Sequence, residues 1–564
     1  MMKLKYIAIL VLVLATFASA QPQRPDFNRR QTYDVQHYKI ITKVDRSKRE
    51  ITGETVITLK PLAADLASVE FDAIGLSFKK VSLDPAGTEL KYRVSGDKVV
   101  ISLDRLYGPG DEISVSMTYT AKPKKGVYFN EPLIQEGKEV RSAQIYTQGE
   151  PDEHRNWFPS FDFPSDKATT EQIITAEKGY TVIANGELLS KTEADNTTTW
   201  HYRMPVAHST YLISFIIGKY AKVEEKHKDV PLSYYVYPGQ EAIVPKAYGN
   251  TRDMMRIFEA LTGVPFPYNK YDQTIVSAFN FGGMENITAT TMADTEILAA
   301  SIPFLQGNIE DLVSHELAHS WFGDLVTCKN WAELWLNEGF ATFMEAAYRE
   351  KKYDRKDYMR KIADDAQEFM IEDAVLPKTH GLFNRNAANI ATLFDHSGVT
   401  YSKGGAVIHT LREQLGEQAF WKAINIYLTR HKFASVETTD LRKVMEESSG
   451  QDLGWFFDQW VYGTGHPKLS VAQAWNPGTK TLSLTVTQTQ KTGGLNTAAY
   501  RLPMKATFDF GTLSQQFADD SVRDIDINKR VQTFSFKLPA KPKSVAIDKE
   551  VKIPIKTVKV LPLR

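Results

Sequence analysis

His315-Glu316-Leu317-Ala318-His319, followed after an 18-residue spacer by Glu338 within Trp335-Leu336-Asn337-Glu338-Gly339-Phe340, decides how this chain is read. On a helix, His315 and His319 share one face, one turn apart. Two imidazoles so placed can reach one metal ion at roughly 2.0–2.1 Å. Glu316 projects beside them, where a carboxylate can act as general base on a water at the metal. Glu338 adds a third ligand from a second helical stretch, expected over residues 333–350. Two histidines, one glutamate and an open position form the pattern of a catalytic rather than a structural zinc site. The flanking residues fit a helix: Asn308 is expected to cap it, and Glu310 and Asp311 to occupy its first turn. Leu312, Val313, Leu317 and Trp321 supply the apolar face.

At 564 residues the chain exceeds a single typical domain. Apolar content of 42% and charged content of 24% are those of a globular protein. The formal net charge is zero, so no global field draws in nucleic acid or an anionic membrane. The short basic cluster Lys122, Lys124 and Lys125, broken by Pro123, reads as a solvated turn. Lys3 and Lys5, the apolar run from Tyr6 to Phe17 and Ala18-Ser19-Ala20 read as a signal peptide over residues 1–20. Export to a periplasm or the medium is expected, with no stable membrane insertion after cleavage. A single cysteine, Cys328, rules out an intramolecular disulfide, and a buried inert thiol is expected there.

From about residue 36 to 222 the chain reads as β. Ile113, Val115, Met117 and Tyr119 alternate with polar residues, and residues 91–103 read as two strands around Ser95-Gly96-Asp97. Long parallel crossovers are not evident, so the sheet is expected to be antiparallel. Helical patterns dominate residues 231–463, including one segment over 404–431 and another over 439–449 capped by Gly450. A β-like stretch at 281–291 interrupts them. Alternation returns after Gly465, in Leu482-Leu484-Val486, in Leu502 to Phe510 and in Phe534 to Leu538. The expected architecture is multidomain α+β: an N-terminal antiparallel β domain (21–225), a mostly helical zinc catalytic domain (226–464) and a C-terminal β-sandwich (465–564).

Several further stretches occur in a fixed order: Gln148-Gly149-Glu150-Pro151 with Trp157-Phe158-Pro159, then Gly282-Gly283-Met284-Glu285-Asn286, then the histidine–glutamate set with Trp321-Phe322-Gly323-Asp324, then Tyr401-Ser402-Lys403-Gly404. Over about residues 36–468 the chain resembles the aminopeptidase N family of gluzincin zinc exopeptidases, whose catalytic domain is thermolysin-like. The resemblance implies one zinc per chain on His315, His319 and Glu338, with Glu316 as general base and Tyr401 as donor to the oxyanion. It makes Glu285 and Glu150 the grip on the α-ammonium of a peptide with a free N-terminus. Gly282, Gly283 and Met284 would lie along the peptide, and Gln148 and Phe281 near the pocket for its first residue. An epoxide hydrolase, or a bifunctional relative on the same zinc site, is the alternative the resemblance leaves open. The preferred first residue and the oligomeric state are not legible. The family often has Asn where Asp324 stands and Ala where Gly283 stands, and Asp324 is expected to alter the field at the metal. Many members carry a further C-terminal helical domain that closes over the site. This chain is expected to lack it, and so to have an open cleft that admits longer peptides.

Overall fold

Tyr33–Asp45 and Glu50–Pro61 alternate apolar and polar residues, and both bury nearly every second side chain. They pair antiparallel at the centre of a seven-stranded sheet, in the computed structural model that describes residues 24–376 and 380–563. The expected signal peptide lies outside the described residues. The sheet continues through Ile113–Ala121 and Leu76–Leu83 on one side, and through Lys167–Glu177, Thr197–Ser209 and Glu187–Glu193 on the other. One neighbouring pair departs from the antiparallel expectation: Tyr33–Asp45 runs parallel to Lys167–Glu177, with His37 opposite Thr169. Parallel neighbours need a long crossover. Here the crossover is itself built of strands, so no strand–helix–strand pattern announces it. Val35, Ile57, Val115, Trp157 and Phe158 are fully buried in the core of this part.

A second, mixed sheet of five strands follows, in the order Ala221–His227, Val230–Val236, Tyr271–Val276, Ala289–Ala293, Gly283–Met284. Tyr271–Val276 is a strand where the sequence pattern predicts helices from residue 231 onward. All six residues of that strand are buried, so it lacks the alternation that marks a half-buried strand. Gly283–Met284 is one of the two edge strands of this sheet.

Helices pack beside it. Trp335–Lys352 is buried without a break from Trp335 to Arg349, the signature of a central helix. It touches Gln306–Ala318, Arg355–Val375 and Gly404–Leu415. Its contact with the last is set by two glycines: a Cβ on Gly404 would lie 2.7 Å from the Gly339 Cα. Asn308 is not the cap expected of it. A 3₁₀ turn, Pro303–Leu305, leads into Gln306–Ala318, so Asn308 falls inside the first turn. The segment over 404–431 is two helices, Gly404–Leu415 and Glu417–Arg430, parted at Gly416 with φ +83°. Thr438–Ser449 ends on left-handed Gly450, as its sequence requires.

After residue 467 the strands form sheets of four and three. Phe508 of one sheet meets Phe536 of the other at 5.2 Å between ring centroids, which makes the pair a sandwich. Trp460, at the end of the helical part, packs on Tyr500 at 5.2 Å and joins the two cores. Among the described residues no helix is long and apolar enough to cross a membrane.

Candidate metal centre

Gln306–Ala318 ends one residue before His319, whose backbone nitrogen donates to His315 O at 3.3 Å. Both imidazoles therefore leave the last turn together, with ring centroids 4.8 Å apart. Glu338, in the first turn of Trp335–Lys352, reaches between them. Its Oε2 lies 3.1 Å from His315 Nε2 and 3.4 Å from His319 Nε2. Donor atoms around a tetrahedral zinc at about 2.0–2.1 Å stand about 3.3 Å from one another. The three lone-pair atoms are thus spaced for one ion, and two imidazoles with one carboxylate suit zinc.

The far side of each ring is also held. His315 Nδ1 lies 2.7 Å from Glu345 Oε1, and His319 Nδ1 donates to Phe322 O at 2.9 Å. Both contacts place the ring proton on Nδ1 and free Nε2 as the ligand atom. Glu345 Oε2 in turn lies 2.9 Å from Lys361 Nζ, which also contacts Asp365 at 2.5 Å. Burial alone would push Glu338 up, but His319 and His315 hold it down to about 2. Burial would lower His315, but Glu338 and Glu345 raise it to about 9. Protons on these imidazoles and a divalent cation compete for the same lone pairs.

A cavity of about 510 Å³ opens over these atoms and brings together His315, Glu316, His319, Glu338, Tyr401, Glu150, Glu285, Phe281, Gly282, Gly283 and Met284. Burial pushes the Glu316 carboxyl up to about 8, against the pull of His315 and His319. A carboxyl that titrates near neutrality is suited to take and return a proton. It lies against Gly283, where a Cβ would come 2.2 Å from Glu316 Oε1. Tyr401 sits on a π-helical turn, Val399–Lys403, that runs into Gly404–Leu415. Its ring lies nearly parallel to that of His315, 5.9 Å away. Burial, then the Glu338 carboxylate, push its phenol well above the usual range, so it keeps a proton to donate.

Glu150, Glu285 and Glu338 each offer an oxygen within 4.8 Å of the others. Glu150 Oε1 is buried without a hydrogen-bond partner. Burial, then Glu285, raise the Glu150 carboxyl well above its ordinary value, and burial raises Glu285 against the pull of His319. Carboxylates this close and this dry call for a cation. Gln148 does not line the metal cavity; it lines an adjoining one, with Nε2 3.3 Å from Met284 Sδ. Asp324 is buried, and burial followed by Glu285 push its carboxyl well above the usual range.

Glu345, Lys361, Tyr211 and Asn337 were not singled out in the sequence. Glu345 had a signal: it follows Glu338 by seven residues, two turns along the same helix face. Tyr211 had none. Its hydroxyl lies 3.4 Å from Glu285 Oε1 and accepts from Asn337 Nδ2 at 3.2 Å, while Asn337 Oδ1 accepts from Cys328 N at 3.0 Å. Cys328 is buried, and burial raises its thiol, so it is a structural residue.

Residues 34–212 match the Peptidase M1 N-terminal domain, and residues 246–460 match the Peptidase family M1 domain. Aminopeptidase N of Streptomyces lividans is 33% identical over 332 residues, 57% of this chain and 38% of that protein. Aminopeptidase 2 of Candida albicans is 28% identical over 466 residues, 81% of this chain and 49% of that protein. Glutamyl aminopeptidase of Bos taurus is 32% identical over 356 residues, 61% of this chain and 36% of that protein. The chain thus spans half or less of the length of these curated relatives.

Proposed function

We propose that this chain, which belongs to peptidase family M1, is a zinc-dependent aminopeptidase that removes the first residue from peptides with a free N-terminus. One zinc per chain would be held by His315, His319 and Glu338. Zinc bound there supplies Lewis-acid polarisation of a carbonyl and a more acidic water. The other roles fall to the chain's own groups. Glu150 and Glu285 hold the α-ammonium, which sets the first peptide bond, and no later one, over the metal. Glu316 takes a proton from the attacking water and returns it to the departing amine. The Tyr401 hydroxyl donates to the carbonyl oxygen as charge develops on it. The edge strand Gly283–Met284 offers the peptide backbone a partner, as in strand addition to a sheet.

The observation that carries this reading is the trio of buried carboxylates Glu150, Glu285 and Glu338, within 4.8 Å of one another and beside two imidazoles. One metal satisfies Glu338; an ammonium group satisfies the other two. The test is hydrolysis of one peptide with its N-terminus free and acetylated, with and without a chelator. Cleavage of the free peptide alone, abolished by the chelator, is expected. Equal cleavage of both peptides would make the enzyme an endopeptidase. Two zinc ions per chain on metal analysis would give the trio to a second ion instead.

A further inference from the structure

Beyond Glu150 lies a second cavity, of about 390 Å³, which shares Glu150, Phe281 and Phe394 with the metal cavity. An α-ammonium held at Glu150 and Glu285, with its carbonyl directed at the metal, leaves this space for the side chain of the first residue. Its wall is a run of aromatic rings, each touching the next. Tyr128 stacks on Tyr146 at 5.4 Å between centroids, Tyr146 meets Phe279 edge-on at 5.8 Å, Phe279 meets Phe281 at 5.9 Å, and Phe281 meets Phe394 at 5.7 Å. Phe281 remains 38% exposed, so one of these rings still lacks a partner for much of its surface.

The charges on the wall are already matched. Lys125 Nζ lies 3.5 Å from Glu153 Oε1, and Glu153 Oε2 accepts from the Tyr128 hydroxyl at 2.8 Å and from Gly126 N at 3.1 Å. Asp152 pairs with Arg155 at 3.1 Å. A lysine or arginine entering here finds no free carboxylate except Glu150, which the α-ammonium takes. An acidic side chain finds no free cation, because Lys125 is already paired with Glu153. Alanine leaves the rings uncovered. An apolar cavity of about 150 Å³ already accommodates benzene, so the space is ample for a phenyl, phenol or indole ring.

We infer that this cavity selects peptides whose first residue is aromatic, with Tyr128, Tyr146, Phe279, Phe281 and Phe394 as the selecting surface. The assignment rests on the aminopeptidase reading, because it takes Glu150 and Glu285 as the seat of the ammonium group. Aromatic side chains outrank leucine here because edge-to-face contacts add to the area they bury.

The test uses the zinc-loaded full chain and 4-nitroanilides of phenylalanine, leucine, alanine, arginine and glutamate. kcat/KM for phenylalanine is expected to exceed that for alanine by about 10- to 100-fold, the worth of burying a ring, and to exceed the other three. In Phe394→Ala and Phe281→Ala the phenylalanine-to-alanine ratio should fall several-fold. Calorimetric binding of phenylalaninamide and alaninamide to the Glu316→Gln variant reads the same pocket with turnover suppressed, and the same order of affinities is expected. A preference for leucine, alanine, arginine or glutamate, or equal affinity for the two amides, overturns the inference. If no anilide is cleaved yet phenylalaninamide binds preferentially and Phe394→Ala removes that preference, the pocket stands and the peptidase reading falls.

Discussion

Replacing Glu345 by Gln probes the metal centre through a residue that would not touch the metal. Glu345 Oε1 lies 2.7 Å from His315 Nδ1, and Oε2 lies 2.9 Å from Lys361 Nζ. The carboxylate fixes the ring proton on Nδ1 and makes Nε2 a stronger donor. Glutamine keeps an oxygen that can face the ring, but it loses the charge and turns an N–H group toward the Lys361 ammonium. His319 and Glu338 keep their own contacts, so two of three ligands are untouched. Loss of such a supporting carboxylate weakens metal binding by about 10- to 100-fold, or roughly 1.4–2.7 kcal/mol. Zinc affinity is read by competition with a chromophoric chelator, and thermal unfolding of the metal-free variant checks that it folds. At saturating zinc, activity should recover most of the way. An affinity within twofold of the parent, in a folded variant, would refute the role given to Glu345.

Glu316→Gln should keep zinc and lose activity by about 10²–10⁴-fold, whereas Glu338→Ala should lose zinc itself; metal analysis beside a rate assay separates the two. Gly283→Val should expel the Glu316 carboxylate from the space it fills, so that kcat falls while zinc content and Tm hold, as read on the purified variant. Gly404→Ala should force apart the two helices that meet at Gly339, costing about 1–3 kcal/mol in urea unfolding and lowering activity, since one carries Glu338 and the turn leading into the other carries Tyr401. His154 is buried and neutral, held down to about 3 from 6.5 by burial. The unfolded chain binds the proton first, so its stabilising contribution is complete above pH 6.5 and lost as pH falls toward 3. Between pH 7 and 4 that loss is roughly 3 kcal/mol. Denaturant titrations should show a shallower acid loss in His154→Gln than in the parent, and parallel curves would refute it.

Features legible in the sequence are those carried by local spacing. His315, Glu316 and His319 lie on one helical turn, so their geometry follows from the rise of a helix, wherever that helix packs. Gly96 at φ +59° and Gly450 at φ +69° mark a hairpin and a helix end, because only glycine enters those conformations cheaply. The strands of the sandwich show in alternation because one face of each is wet. Glu338 is legible across an 18-residue spacer because the whole pattern is fixed in length.

What only the tertiary structure decided is what long-range packing brings together. The parallel pairing of Tyr33–Asp45 with Lys167–Glu177 has no local signal, because the crossover between them is itself made of strands. Tyr271–Val276, dry on both faces, shows no alternation to read. Tyr211 reaches Glu285 across 74 residues and Asn337 across 126, and no spacing rule extends that far. The aromatic wall is assembled from residues 128, 146, 279, 281 and 394, of which only Phe281 stands out in the sequence; the fold alone brings the rings into contact. The sequence by itself marked His315, His319 and Glu338 as candidate metal ligands, since these depend on residue type and helical spacing. The second ring of support and the shape of the pocket come from side-chain packing between distant segments, which exists only once the chain has closed on itself.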